Sequence, residues 1–140
     1  MQGIEIKIVK EWAADEIIRL FESGGWWNES NDCSLINDII SGSFAFFVAV
    51  DTSTGKAVGM ARVLSDGTSD AYIQDMVVLD EYRGRGIGKL LVEKIIGFCD
   101  LRGIEWLGLI AEPGYYSFYE QVGFSKMKQY VPMLFLKEKK

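Results

Sequence analysis

The sequence predicts an α/β domain on a mixed sheet, because strand-like and helix-like segments alternate along most of the chain. Residues 44–50 and 57–64 are apolar, strand-like runs, and the "DTSTGK" between them favours a turn, which predicts a hairpin. A long helical pattern separates the strand-like runs 71–79 and 106–111. Such a crossover should make that last pair of strands parallel, so the sheet is expected to be mixed.

The segment before the hairpin predicts one strand and two helices. Isoleucine alternates with charged residues over residues 4–8, which is the period of a strand with one covered face. Helical spacing of apolar residues runs from about Ala13 until Gly24. "SLINDIIS" predicts a second helix, with Ser34 as its N-cap and Gly42 just beyond its end.

The last third of the chain predicts two helices and a final hairpin. Helical spacing after a glycine cluster continues to about Leu101. A short helix is expected to begin near Pro113 and to end at Gly123. Residues 124–127 and 133–136 are then expected to pair as a hairpin.

Composition indicates one globular domain, residues 1–140. The 140 residues are 49% hydrophobic and 25% charged, with two prolines. No apolar run is long enough for a membrane span and no signal peptide is evident, so a cytoplasmic location is expected. A net charge of −5 argues against nucleic-acid binding and suits a cationic acceptor such as an amine.

The chain contains no histidine, and its two cysteines, Cys33 and Cys99, lie far apart. No zinc site and no cysteine–histidine nucleophile pair is therefore expected, and we predict no metal. General acid and base chemistry would depend on carboxylates, tyrosines, lysines or water.

The segment "VVLDEYRGRGIGKLL", residues 77–91, places three alternating glycines where a strand gives way to a helix. A glycine-rich turn at a helix N-terminus can bind an anion, because the first helical N–H groups lack partners and the dipole end is positive. The spacing matches neither a P-loop nor the dinucleotide-binding fingerprint. A structural turn without a ligand is the alternative.

Two motifs in the expected order carry a resemblance to a known family. Arg83, Gly86 and Gly88 match the R/QxxGxG/A pattern, and "FYEQVGF", residues 118–124, matches the late FYExxGF segment, of the GNAT superfamily of acyl-CoA N-acyltransferases. The order of elements is similar over nearly the whole chain. The resemblance implies a mostly antiparallel central sheet with flanking helices, one parallel strand pair at the cofactor site, and acetyl-CoA as co-substrate.

The resemblance also implies which residues bind the cofactor. Backbone amides of the glycine cluster would hold the pyrophosphate, and a free amide at Val77 or Val78 on the preceding strand would bind the thioester carbonyl. The implied cofactor-binding residues are Met76, Val77, Val78, Arg83, Gly84, Arg85, Gly86, Ile87, Gly88, Lys89 and Tyr119.

In resembling proteins a tyrosine at the position of Tyr119 commonly protonates the departing thiolate, with Tyr116 as the second candidate here. A tyrosine suits this role because its ordinary pKa near 10 keeps it protonated at neutral pH. Alternatively, Tyr115, Tyr119 and Val122 form one apolar face of the short helix.

Three carboxylates are candidates for removing a proton from an amine, namely Asp75, Glu112 and Glu29. A chain of waters is the alternative for the same step. At the position of Glu112 the family often has asparagine, and the alternative interpretation of Glu112 is a solvated strand end. For the acceptor site we predict Trp26, Trp27 and Glu29 in "GGWWNESND", with Tyr115. The two tryptophans could instead cap the core.

These observations predict an acetyl-CoA-dependent N-acetyltransferase that acts on a primary amine by direct attack in a ternary complex. A noncatalytic acyl-CoA-binding or interaction module on the same fold is the alternative. Members of the family often dimerise, so a homodimer is compatible with the resemblance.

Overall fold

A five-stranded sheet organises the first 109 residues of the computed structural model, which describes residues 1–137. The strands lie in sequence order across the sheet, and every neighbouring pair is antiparallel except the last, which is parallel. The strands are β1 (Ile4–Val9), β2 (Ala45–Asp51), β3 (Lys56–Ser65), β4 (Asp70–Val78) and β5 (Trp106–Leu109). The predicted mixed, mostly antiparallel sheet with one parallel pair is confirmed.

Helices flank this sheet. They are α1 (Ala14–Ser23), α2 (Ile36–Gly42), α3 (Ile87–Leu101) and, later in the chain, α4 (Tyr116–Gln121). Single 3₁₀ turns at Cys33–Leu35 and Asp80–Tyr82 precede α2 and the glycine cluster. The predicted span of the long helix to Leu101 is confirmed.

The core lies on both faces of the central strands. Residues 45–50 of β2 are all buried, and successive side chains of a strand point to opposite faces, so both faces are covered. Helix α3 covers one of them: the Phe47 and Phe98 rings meet edge to face with centroids 5.5 Å apart, and Leu91 lies against Gly59 of β3. This packing fixes the start of α3 beside the end of β4.

The predicted cap of the second helix is wrong in detail. The N-cap residue of α2 is Leu35, which supplies no side-chain hydrogen bond. Asp32 caps the preceding 3₁₀ turn, where its carboxylate accepts from the Ser34 backbone N–H at 2.9 Å. Gly42 is the last residue of α2 rather than the residue after it, and Ser43 is its C-cap. Because the 3₁₀ turn leads directly into α2, the capping residue precedes the turn, and local sequence does not show where the turn ends and the helix begins.

From Ile110 onward the chain forms a second compact unit, which contains α4. The predicted hairpin of residues 124–127 and 133–136 is wrong, since no strand is assigned between residues 110 and 137. Gln129 has a left-handed φ of 66°, and Pro132 has no N–H to donate to a ladder. The apolar side chains of residues 133–136 are exposed.

None of the helices described within residues 1–137 has both the length and the apolar character that crossing a bilayer requires.

Candidate functional site

The glycine cluster forms an exposed loop between β4 and α3. Gly84 and Gly86 have left-handed φ values of 79° and 84°, which glycine adopts without the strain that a side chain brings. Gly86 is the N-cap residue of α3. Apart from the two neighbouring residues in the chain, no described residue has an atom within 4 Å of the position that a Cβ on Gly84 would take, so the loop leaves open space at this point.

The N-terminus of α3 presents unpaired donors next to this loop. The N–H of Leu90 donates to the Gly86 carbonyl at 3.0 Å, the first bond of the helical ladder. The preceding N–H groups, those of Ile87, Gly88 and Lys89, come before that first bond and have no helical acceptor. The first turn contains no acidic residue and Gly86 supplies no side-chain cap, so donors and dipole are available to an anion.

Both arginines of the loop brace the backbone in this structure. The Nε of Arg83 donates to the Val78 carbonyl at 3.1 Å, and its guanidinium lies 3.3 Å from the Asp80 carboxylate. The guanidinium of Arg85 donates to the Glu81 carbonyl at 3.5 Å and lies over the Tyr82 ring, 4.9 Å from the centroid. Each holds positive charge at the rim of the loop.

Strand β4 leaves its parallel partner before it reaches the loop. The β4–β5 register ends at Ile73 opposite Leu109, whereas β4 continues to Val78. The register with β3 shifts by one residue at Asp75, whose φ of 56° is left-handed. Such a bulge bends a strand and increases its twist.

The last residues of β4 present one edge of their backbone to the side that β5 has left. The Leu79 N–H donates to the Val58 carbonyl on β3 at 2.9 Å. Since backbone groups alternate along a strand, Val77 also faces β3 and Val78 faces away from it. Of the two amides predicted to bind a thioester carbonyl, that of Val78 is the one with suitable direction.

Tyr119 is half-buried on α4 in the second unit. Its ring packs against Phe118 and Phe124, with centroid distances of 5.0 and 5.9 Å. Burial raises the pKa of the Tyr119 hydroxyl, and the negative charge of Glu112 adds to the effect. The phenol therefore keeps its proton to higher pH than an exposed tyrosine and can act as a donor.

The family model for the acetyltransferase (GNAT) domain matches residues 42–126, which is more than half of the chain. This chain belongs to the GNAT acetyltransferase family. The match includes β2 to β5, the glycine loop and α4.

Relatives and solved structures agree with this assignment. The chain is 42% identical over 69 residues to GCN5-related N-acetyltransferase 2, chloroplastic, of Arabidopsis thaliana, which covers 49% of this chain and 27% of that protein. It is 31% identical over 77 residues to serotonin N-acetyltransferase 2, chloroplastic, of Oryza sativa subsp. japonica, a match that covers 55% of this chain and 38% of that protein. The solved structure of a GNAT family acetyltransferase of Streptococcus pneumoniae shares the fold, with a TM-score of 0.78 and 24% identity. The match covers 97% of this chain and 99% of that protein. The chain thus spans well under half the length of these two plant relatives.

The predicted acceptor residues of this GNAT chain lie in both units. Trp26 and Trp27 are half-buried and both contact Phe21, with ring centroids 6.2 and 5.8 Å away, while Glu29 is exposed. The tryptophans thus cap the core near α1 and keep part of each ring in solvent. Tyr115, which precedes α4, is half exposed.

The remaining candidates divide between the same two units. The cofactor candidates of β4, the glycine loop and the start of α3 are contiguous in the first unit, where Asp75 also lies. Glu112 and Tyr119 belong to the second, as does Tyr116, whose ring carries the Lys126 ammonium at 3.9 Å. Among residues 1–137 no group of three or more potential metal ligands occurs.

Two contacts next to the site are not predicted by the sequence. The Tyr82 hydroxyl donates to the Asp51 carboxylate at 2.6 Å, which ties the turn before the glycine loop to the end of β2. The Arg62 Nε donates to Asp75 at 2.7 Å. Both pairs join residues well separated in the chain, and no local motif marks them.

Proposed function

We propose that this chain is an N-acetyltransferase that transfers the acetyl group of acetyl-CoA to a primary amine by direct attack in a ternary complex. The observation that carries the proposal is the glycine loop at the N-terminus of α3, which follows a strand whose Val78 amide points away from β3, toward the side that β5 has left. Together these supply donors for a diphosphate and for a thioester carbonyl.

The cofactor would be bound mainly by backbone. Amides of residues 83–89 would surround the pyrophosphate, with Arg83 and Arg85 contributing charge. The left-handed Gly84 and Gly86 remove side chains where the phosphates must approach. The backbone of Met76 and Val78 would run beside the acyl end of the cofactor, while the side chains of Val77 and Val78 are buried.

In the proposed reaction the amine nitrogen attacks the thioester carbonyl carbon and forms the C–N bond. Negative charge develops on the carbonyl oxygen, where the Val78 amide would stabilise it. Collapse of this intermediate breaks the C–S bond, and the Tyr119 hydroxyl would donate its proton to the departing thiolate. The proton lost by the amine would pass to Glu112 or to water.

The acceptor site is proposed to include Trp26, Trp27, Glu29 and Tyr115. Partly exposed aromatic rings together with a carboxylate suit a cationic amine, and the net charge of −5 attracts one. Because the rice relative is named a serotonin N-acetyltransferase, arylalkylamines are the first acceptors to test.

We further propose that residues 1–140 act as one acetyltransferase domain, since the family model spans residues of both compact units. The cytoplasmic location and a homodimer stay predictions. The Arabidopsis and rice relatives are both named as chloroplastic proteins, so a plastid is the other location to test.

The cofactor is tested by thermal unfolding of the purified protein with acetyl-CoA, and with NAD and ATP as controls. A ligand that binds only the folded state at a hundredfold excess over its Kd stabilises it by about 2.7 kcal/mol. Stabilisation by acetyl-CoA but not by NAD or ATP is expected. If millimolar acetyl-CoA does not raise the thermal stability of the protein, the proposal is refuted.

A further inference from the structure

Asp75 occupies an unusual backbone position in the middle of β4. Its φ of 56° is left-handed, a conformation that a residue with a side chain adopts only at some cost in free energy. It lies where the β3–β4 register slips by one residue: Met60 pairs with Val77, but Arg62 pairs with Gln74. Asp75 is therefore part of a β-bulge, with an extra residue on β4.

The side chain of Asp75 is held by the strand that the bulge faces. The Arg62 Nε donates to its carboxylate at 2.7 Å, and the two side chains are only 20% and 15% exposed. The ion pairs Lys7–Glu5, Arg19–Glu81 and Arg83–Asp80 are longer, at 3.3 to 3.9 Å, and more exposed. A short, mostly buried, charge-assisted bond can offset the local strain.

The bulge determines which backbone N–H groups of β4 point toward β3 and which point away from it. Val58 of β3 accepts from the Leu79 N–H, so by alternation the backbones of Met60 and Arg62 also face β4. Their partners across the strands, Val77 and Gln74, therefore both face β3, although they are three residues apart. Without the extra residue, alternation would turn Val78 toward β3 and Val77 away. The slip at Asp75 thus brings the Val78 N–H to the side that β5 has left.

We propose that Arg62 and Asp75 form a positioning pair that holds the β4 bulge and so directs the Val78 amide at the thioester carbonyl. This inference rests on the proposed function. It assigns Asp75 a positioning role instead of the general-base role that was one of its predicted functions, because its carboxylate already binds a guanidinium.

The pair is tested by the affinities for acetyl-CoA and for free CoA, which lacks the carbonyl. In Asp75→Ala and Arg62→Met the acetyl-CoA Kd should rise about tenfold, roughly the worth of one hydrogen bond, while the CoA Kd should change less than about threefold. A merely structural loss would raise both equally, and that result would overturn the proposal.

Two further variants keep the test decisive. Asp75→Asn retains an acceptor for Arg62 and tolerates left-handed backbone, so both affinities and turnover should stay within about threefold of the unsubstituted protein. If it instead lost turnover about a hundredfold or more with acetyl-CoA affinity intact, Asp75 would be the base and the proposal would be wrong. Asp75→Gly removes the strain together with the carboxylate, and replaces Asp75→Ala should the latter fail to fold.

Lys7→Met is the matched control, because it breaks the exposed Lys7–Glu5 pair on β1 and should leave both affinities unchanged. Amide hydrogen exchange gives a readout independent of ligand. The Val77 amide should be protected and the Val78 amide fast in the unsubstituted protein, with this contrast lost in Arg62→Met. Retention of the contrast would overturn the positioning role, whereas failure of the unsubstituted protein to bind acetyl-CoA would refute the proposed function itself.

Discussion

Substitution of Gly84 by alanine separates the binding role of the glycine loop from its conformational role. Gly84 and Gly103 both have left-handed φ values, 79° and 72°, and a Cβ at either position meets no described atom within 4 Å. Gly103 follows α3, at the opposite end of that helix from the loop. Each alanine should therefore destabilise the fold by a similar amount, about 1–2 kcal/mol of backbone strain.

Only the Gly84 variant should lose affinity for the cofactor, because its methyl group and strained backbone lie where the pyrophosphate is proposed to bind. If the Kd rises tenfold at an acetyl-CoA concentration a hundredfold above the original Kd, the stabilisation falls from about 2.7 to about 1.4 kcal/mol. Thermal unfolding of Gly84→Ala and Gly103→Ala, each with and without acetyl-CoA, measures this difference. Equal stabilisation of the two variants would refute the binding role of the loop.

Three further predictions concern the chemistry and the support of the site. Tyr119→Phe should lower kcat by about a hundredfold with little change in acetyl-CoA affinity, and unchanged kcat would remove Tyr119 from the mechanism. Because the pKa of Tyr119 is raised, the alkaline loss of kcat in the unsubstituted protein should begin above the pH expected for an exposed phenol. When Cys33 and Cys99 are both replaced by alanine, the rate of acetyl transfer should stay within about twofold of that of the unsubstituted protein. Direct attack needs no thiol, and burial raises the pKa of Cys99, which makes its reactive thiolate scarcer. Loss of transfer in a folded variant would contradict direct attack. Hydrogen bonds from Tyr82 and Ser53 lower the pKa of Asp51 in the folded state, so the ionised carboxylate stabilises the fold above its unfolded pKa, and this effect is lost as pH falls through the folded pKa. In urea unfolding, Asp51→Asn should therefore lose more free energy of unfolding, relative to the unsubstituted protein, at pH 7 than at pH 2. An equal loss at both pH values would refute this.

The sequence predicts those parts of the fold that depend on neighbours in the chain. Apolar residues four apart define α3 to Leu101, and the alternating glycines locate the strand-to-helix loop. The final hairpin is predicted wrongly because apolar, β-prone residues form a strand only where another strand edge is available to them.

The finer features of the site depend on contacts between distant residues. Aspartate tolerates left-handed backbone better than most residues, but nothing in the local sequence marks residue 75 as a bulge. The left-handed Asp75 is understood only together with Arg62, 13 residues away. The Tyr82–Asp51 bond joins residues 31 apart. Strand alternation alone could not choose between Val77 and Val78, because the bulge changes the parity after Asp75.

Acetyl transfer itself is the most direct test. The purified protein is incubated with acetyl-CoA and a panel of primary amines that includes arylalkylamines, polyamines and lysine peptides, and the products are identified by mass spectrometry. The account predicts one acetylated amine and one free CoA per turnover with at least one acceptor class, and loss of both products in Tyr119→Phe. Saturable acetyl-CoA binding without acetylation of any amine would contradict it, and would identify a noncatalytic acyl-CoA-binding module.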